Sequence, residues 1–313
     1  MSRKILLIEP NYKNKYPPMG LMKLATYYRK RGDDVRFFKG NLKEFAVKLL
    51  CEEFMMAAKE PTLGKHIGKL FEYIKTGKYA LIESIPNFRK SELDTLLKDF
   101  RARYHKEQYP QFNIVGITTL FTFYWKETID TINFAKKFCS ETDNIIVGGI
   151  ASSILPNQVF QETGIHPYVG LLNKPGMLDS DSTDIIDELP LDYSILDEID
   201  YKYPANNAYL AYMTRGCTRK CAFCAVPLLE PEYKNYINLK EQIKQADKRF
   251  GAKKDLLLMD NNVFASKYFY KIIDEIKDCG FARGATYIPS SDYDIAMKNL
   301  REEYNVRAYT KKI

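Results

Sequence analysis

Apolar residues fall along this chain in two patterns, short continuous runs and longer stretches at helical spacing, and their alternation predicts parallel strands joined by helices. "KILLIEP", ending at Pro10, is a continuous apolar run closing in a turn, as for a strand buried on both faces. "PPMGLMKLATYYRKRG" sets Leu21, Leu24, Ala25 and Tyr28 at helical spacing, with Pro18 near the start and Gly32 just past the end. "DDVRFFKG" is the next strand, which makes a parallel unit with a right-handed crossover. The pattern resumes with "NIVGITTL" as a strand, "FYWKETIDTINFAKKF" as a helix with Trp125, Ile129, Ile132 and Phe138 on one side, and "NIIVGGI" as a strand. Between the halves, from residue 41 to about 110, two strongly helical stretches carry Asn41 and Ser91 as N-caps and read as a helical insertion without identifiable chemistry.

The class is α/β, with an N-terminal doubly wound, Rossmann-like parallel sheet over residues 1–172. Ligands of such sheets bind at the carboxyl ends of the strands, here after Ile8, around Thr118 and Thr119, and at Gly148 and Gly149. From 173 to 207 periodicity is lost and Asp, Pro and Ser accumulate, the pattern of a linker or an extended wrap. Residues 208–313 repeat the strand and helix alternation. "AYLAYMT" is a strand, "NLKEQIKQADKRFG" a helix capped by Asn238 and stopped by Gly251, "DLLLMD" a strand, and Ser266 to Gly280 a helix. "GATYIP" then reads as a third strand and "SDYDIAMKNLREEY" as a third helix.

Composition narrows the class. The 313 residues are 45% apolar and 28% charged, which suits two packed domains and excludes disorder or a fibrous repeat. Apolar runs fall far short of the ~20 residues that span a bilayer. The N-terminus, charged at Arg3 and Lys4, makes no signal peptide, so no membrane and a cytoplasmic location are expected. The net charge of +7 is scattered, leaving nucleic acid open as a partner without pointing to one. Six cysteines do not form a disulfide pattern when three of them crowd into eight residues, and Cys51, Cys139 and Cys279 sit in helical patterns that suit buried, inert thiols.

The concentrated chemistry is "TRGCTRKCAFCAVP", in which Cys217, Cys221 and Cys224 follow a strand and precede a helix. Three thiolates on a short loop can converge on one corner of a cubane iron–sulfur cluster at little closure entropy, leaving one iron open to a small molecule. Zinc would need a fourth ligand, and His66, His105 and His166 lie far off in another predicted domain. Three incidental core cysteines are the other alternative, and they sit poorly with a loop whose Arg and Lys favour thiolates.

The segment resembles the signature of radical S-adenosylmethionine enzymes, with Cys217, Cys221, the aromatic Phe223 and Cys224 in order, preceded by "TRGC" and followed by Pro227. The resemblance implies the first units of a partial (β/α) barrel, a four-iron, four-sulfur cluster held by the three cysteines, and S-adenosylmethionine chelated by the open iron. It also implies radical hydrogen abstraction on an unknown substrate and an electron donor such as flavodoxin or ferredoxin. Phe223 would pack beside the cluster, and Asp260, Asn261 and Asn262 occupy the position of the family's motif for the methionine amino group, where Gly-Gly-Glu is usual. The same three residues also favour a turn.

The first domain resembles the cobalamin-binding-type domain that precedes the barrel in one class of these enzymes, on "PPMGLMKLATYYRKRGDDV", "IVGITTL", "IIVGGIASSILP" and "LPLDYSILD". In that resemblance Thr118, Thr119, Gly148 and Gly149 line the groove for the nucleotide tail of cobalamin, and methyl transfer becomes the implied reaction. The histidine loop of cobalamin mutases is missing from "EPNYKNKYPPMG", which argues against histidine ligation of cobalt. A Gly-Gly pair after a strand also serves any tight turn. A family barrel has about six units of roughly thirty residues, whereas Tyr209 to Ile313 spans 105, room for three. The expectation is therefore a truncated barrel or one completed by a partner. The alternatives are a truncated, non-catalytic iron–sulfur or metal-binding protein and a cluster protein that only transfers electrons.

Overall fold

The computed structural model describes residues 2–281 apart from 86, 87 and 89–91. The predicted third strand and third helix of the second unit, and Ser91 as a cap, lie outside the described residues.

Strand β1 (Lys4–Glu9) leads through helix α1 (Met19–Lys30) to β2 (Asp34–Lys39). The insertion is helical, with α2 (Leu42–Ala58), α3 (Ile67–Thr76), the single turn α4 (Ala80–Glu83) and α5 (Glu92–His105). The chain then returns to β3 (Ile114–Thr119), α6 (Trp125–Ala135), β4 (Ile145–Gly149), α7 (Ile150–Ile154) and α8 (Pro156–Thr163). The four strands form one parallel sheet in the order β2-β1-β3-β4, so the direction of winding reverses between β1 and β3.

Both faces are covered, because successive side chains of a strand point to opposite sides. Leu6, Ile8, Val115, Ile117 and Val147 pack with α2, α3, α5, α6 and α8 on one face. Ile5, Leu7 and Ile114 pack with α1 and residues of the 186–203 segment on the other. Asn41 caps α2 as expected, its side chain accepting from Lys43 N and Glu44 N. The helix read over 123–138 is α-helical only from Trp125 to Ala135, with tighter single turns at both ends.

Residues 173–207 carry no strand and lie along α1 through paired charges. Lys23 meets Asp187 at 2.9 Å, Arg29 meets Asp192 at 2.8 Å and Glu198 at 2.6 Å, and Lys30 meets Asp184 at 2.6 Å. Ile186, Ile195, Ile199 and Tyr203 of this segment are buried in the α1-side core. That core continues into Tyr209, Leu210 and Ala246, so one apolar layer joins the first sheet to the second.

The second sheet has two described strands, β5 (Ala208–Ala211) and β6 (Asp255–Leu258), paired in parallel. The short helix α9 (Val226–Leu229) follows the cysteine loop, α10 (Leu239–Phe250) connects the strands, and α11 (Phe269–Asp278) follows β6. Asn238 caps α10 through Glu241 N, and Gly251 ends it with φ 73°. Helix α11 starts at Phe269, three residues later than the sequence pattern suggests, because the Ser266 hydroxyl is used in a turn, donating to Asn235 O and accepting from Tyr268 N at 3.1 Å. Among the described residues no helix is long and apolar enough to cross a membrane.

Candidate functional site

The cysteine loop leaves β5 through a neck held on two sides. On one side Asp260, just past β6, accepts hydrogen bonds from Met213 N at 3.1 Å, from Thr214 N, and from the Thr214 hydroxyl at 2.5 Å. Met213 and Thr214 are fully buried, so this carboxylate serves backbone donors that water does not reach. On the other side the chain returns antiparallel. Arg215 and Lys234 exchange backbone hydrogen bonds at 3.2 and 3.0 Å, and Ile237 N donates to Met213 O at 2.8 Å.

Gly216 marks the crossing point. Its φ is +70°, and a Cβ there would stand 2.4 Å from Glu232 O and 2.9 Å from Glu230 O. The Glu230 carboxylate accepts from Gly216 N at 2.7 Å and from Asn261 Nδ2 at 3.0 Å, and pairs with Arg215 at 3.0 Å. Arg215 is itself buried, lies 4.0 Å over the Tyr212 ring and reaches Asp187 at 3.3 Å.

Beyond the neck the three thiols face outward to different degrees. Cys217 and Cys221 are partly buried and Cys224 is exposed. The Cys217 sulfur accepts from Arg219 N at 3.4 Å and from Asn262 Nδ2 at 3.3 Å, and these donors draw its pKa down. Cys224 N donates to Cys221 O at 3.1 Å, and Phe223 between them is 94% exposed. Among the described residues no three His, Cys, Asp or Glu side chains stand close enough together to hold a metal ion.

The donor set nevertheless suits a thiophilic group, with three free thiols on one loop and the pKa of the first drawn down by its hydrogen-bond donors. Cys51 and Cys139 are buried, and burial pushes Cys51 up to about 12, as befits inert core thiols. Cys279 is only partly buried, at the end of α11, and burial raises its pKa too.

At the first sheet the candidate residues pair in register, Thr118 with Gly148 and Thr119 with Gly149. Thr119 and Gly149 are committed to a turn. The Thr119 hydroxyl accepts from Ser152 N at 3.0 Å and lies 3.1 Å from Gly148 O, while Ser153 Oγ donates to Gly149 O at 2.7 Å and accepts from Gly170 N at 3.0 Å. Gly149 has φ +111°, and a Cβ there would meet Thr119 O at 2.3 Å. Gly148 differs, since a Cβ would meet no described atom within 4 Å, and Thr118 beside it is partly exposed. Helix α7, which leaves this turn, packs against α9, which leaves the cysteine loop, so the two candidate regions are neighbours.

At the carboxyl ends of β1 and β2 the sheet is closed by the protein's own side chains. Lys39 and Glu9, both buried, pair at 3.3 Å, and Lys39 Nζ donates to Tyr12 O at 2.7 Å and Pro10 O at 3.2 Å. Its ammonium lies 4.8 Å from the Tyr12 ring centre and 4.7 Å from that of Tyr201. Tyr203 donates to Glu9, and so does Asn14 at 2.9 Å. Sequence reasoning found neither this group nor the clamp of Arg215, Gly216 and Glu230. The partners of "TRGC" lie 14 to 46 residues away and Tyr203 lies 194 residues from Glu9, so no local pattern announces either group.

No family model matches the chain, and no curated protein does. Solved structures do match, among them two of the radical S-adenosylmethionine methyltransferase TsrM from Kitasatospora setae. One has cobalamin and a [4Fe-4S] cluster bound, at 15% identity and TM-score 0.48, over 89% of this chain and 53% of that one. The other has tryptophan substrate and a SAM analogue bound, at 14% identity and TM-score 0.47, over 89% of this chain and 51% of that one. The chain therefore spans about half the length of the solved chains it matches.

Proposed function

We propose that this chain is a radical S-adenosylmethionine protein that holds a four-iron, four-sulfur cluster through Cys217, Cys221 and Cys224. The observation that carries the reading is the ordered spacing of these thiols on a loop at the carboxyl end of β5, with Asn262 beyond β6 donating to Cys217 at 3.3 Å. Loops at the carboxyl ends of parallel strands are where α/β proteins gather their ligands.

When bound, the cluster and S-adenosylmethionine supply one-electron cleavage of a carbon–sulfur bond and hydrogen abstraction. The protein's own part is positioning. Asp260 fixes the loop entry, Asn262 orients the Cys217 sulfur, Asn261 extends the polar edge, and Phe223 sets an apolar ring between Cys221 and Cys224. In this reading residues 1–172 form a cobalamin-binding-type domain, 173–207 its connection and 208–313 the beginning of the barrel. The open face at Thr118 and Gly148 receives the nucleotide tail, while Thr119 and Gly149 shape the turn beneath it.

A second reading, a cluster protein without turnover, is favoured by the commitment of Asp260 to three protein donors. Anaerobic reconstitution separates the two. The first predicts about four iron and four sulfide per chain, and deoxyadenosine once reductant and S-adenosylmethionine are added. A full cluster that yields no deoxyadenosine supports the second. Stoichiometric zinc with no iron would sink both.

A further inference from the structure

We infer that Glu230 is a positioning residue for the cysteine loop, a clamp whose single carboxylate sets where Cys217 stands relative to the end of β6. The inference rests on the reading of the loop as a cluster loop. Glu230 lies on neither strand and is six residues beyond the last cysteine, yet its side chain, only 12% exposed, gathers three donors from two segments. Oε2 takes the N–H of Gly216, the residue directly before Cys217, at 2.7 Å. The same oxygen takes Asn261 Nδ2 at 3.0 Å, next to the Asn262 that donates to the Cys217 sulfur. Oε1 takes Arg215 at 3.0 Å, and Arg215 is anchored in turn by Asp187 and the Tyr212 ring.

Both flanks of the Cys217 sulfur are thus referred to one anion. A charge-assisted acceptor is stronger than a neutral one, and in this shielded position solvent competes with it weakly. The backbone at Gly216 leaves no slack, because any side chain there would collide with the 230–232 carbonyls. Arg215 orients the carboxylate and ties the clamp to Lys23 of α1 through Asp187.

The test uses the full chain and Glu230→Gln, which keeps the volume, loses the charge and turns an amide N–H toward donors. By hydrogen exchange on the metal-free chain, peptides covering 213–217 exchange about tenfold or more faster in the variant, the lower bound for losing a hydrogen bond to a charged group. Peptides from β1 and α2 are unchanged. After anaerobic reconstitution the variant's iron affinity, read by competition with a chelator, falls about 10–100-fold, as for other groups that orient metal ligands. The electron paramagnetic resonance spectrum of the reduced cluster also shifts, which a merely structural residue would not cause. Unchanged exchange at 213–217, equal loss of protection in β1 and α2, or wild-type iron retention with an unshifted spectrum each overturns the assignment of Glu230. A wild-type chain that takes up no iron sinks the cluster reading itself, which loading in the wild type with an unaffected variant does not.

Discussion

The adjacent glycines after β4 should respond in opposite ways to the same substitution. In Gly149→Ala the new Cβ meets backbone atoms, Thr119 O at 2.3 Å and Thr119 N at 2.8 Å, and the residue must hold φ +111°. Backbone strain of that kind costs about 1–3 kcal/mol. Relief of the overlap must displace β3, itself paired on both sides, for about 1–3 kcal/mol more. The expected destabilisation is therefore about 2–6 kcal/mol. Gly148→Ala adds a methyl where no described atom lies within 4 Å, at an ordinary strand φ, and restricting the unfolded chain then stabilises by about 0.4–1 kcal/mol. Urea unfolding followed by circular dichroism reads both from the midpoints. The same methyl narrows the face proposed for the cobalamin tail, so Gly148→Ala should also weaken binding in a spectroscopic cobalamin titration while leaving the fold intact. Equal stability losses at the two positions, or a Gly149→Ala variant as stable as the wild type, would refute the division of this pair into a turn-former and an open face.

Two other charged groups give separate checks. Burial works against ionisation of Asp179, but hydrogen bonds from Arg3 at 2.6 Å and Tyr27 at 2.9 Å prevail and hold its pKa below the usual carboxylate range. The native state then binds fewer protons than the unfolded state, so this stability is present above the unfolded pKa near ~3.9 and is lost as pH falls through the lower folded pKa. Asp179→Asn should lower the urea midpoint at pH ~7, with the gap from wild type closing below pH ~4; a gap that persists in acid contradicts the assignment. At the end of β1 and β2, Lys39→Met should cost about 3–5 kcal/mol by leaving Glu9 buried without its cation, and adding Glu9→Gln should recover most of that loss. Additive costs in the double variant would show that the pair is not coupled.

Much of the architecture was legible because local rules carry it. The unbroken apolar run of β1 did become a strand buried on both faces, and Asn41 and Asn238 did cap their helices, since an N-cap needs only its own next turn. Residues 173–207 were harder to read. The sequence left them as a linker or an extended wrap, and their acidic residues are matched to the basic side of α1, to Lys23, Arg29 and Lys30, some 150 residues earlier, as a wrap would be. Charge complementarity at that separation leaves no periodicity to detect. The start of α11 was misplaced for a related reason, because Ser266 is drawn away by Asn235 O rather than by its own helix.

The cysteine loop divides along the same line. Which residues are candidates for chemistry is a local matter, since soft donors at short spacing stand out in the sequence. What holds the loop is not local. Asp260 reaches back 46 residues to Thr214 to satisfy buried backbone donors, and Glu230 reaches back 14 to Gly216 and forward 31 to Asn261. "DNN" was read for its position and polarity, and within it the three residues part company. Asp260 serves the strand ends, Asn261 serves the clamp, and only Asn262 touches a thiol. Asn262→Ala should therefore remove a donor from the Cys217 sulfur and raise that thiol's pKa, read from the pH dependence of its alkylation, while leaving unfolding nearly unchanged. Asp260→Ala should do the reverse, orphaning the buried N–H groups of Met213 and Thr214 at about 1–3 kcal/mol each. If instead both variants shift the thiol alike, Asp260 belongs to the site as much as Asn262 does, and the neck and the cysteine loop act as one unit.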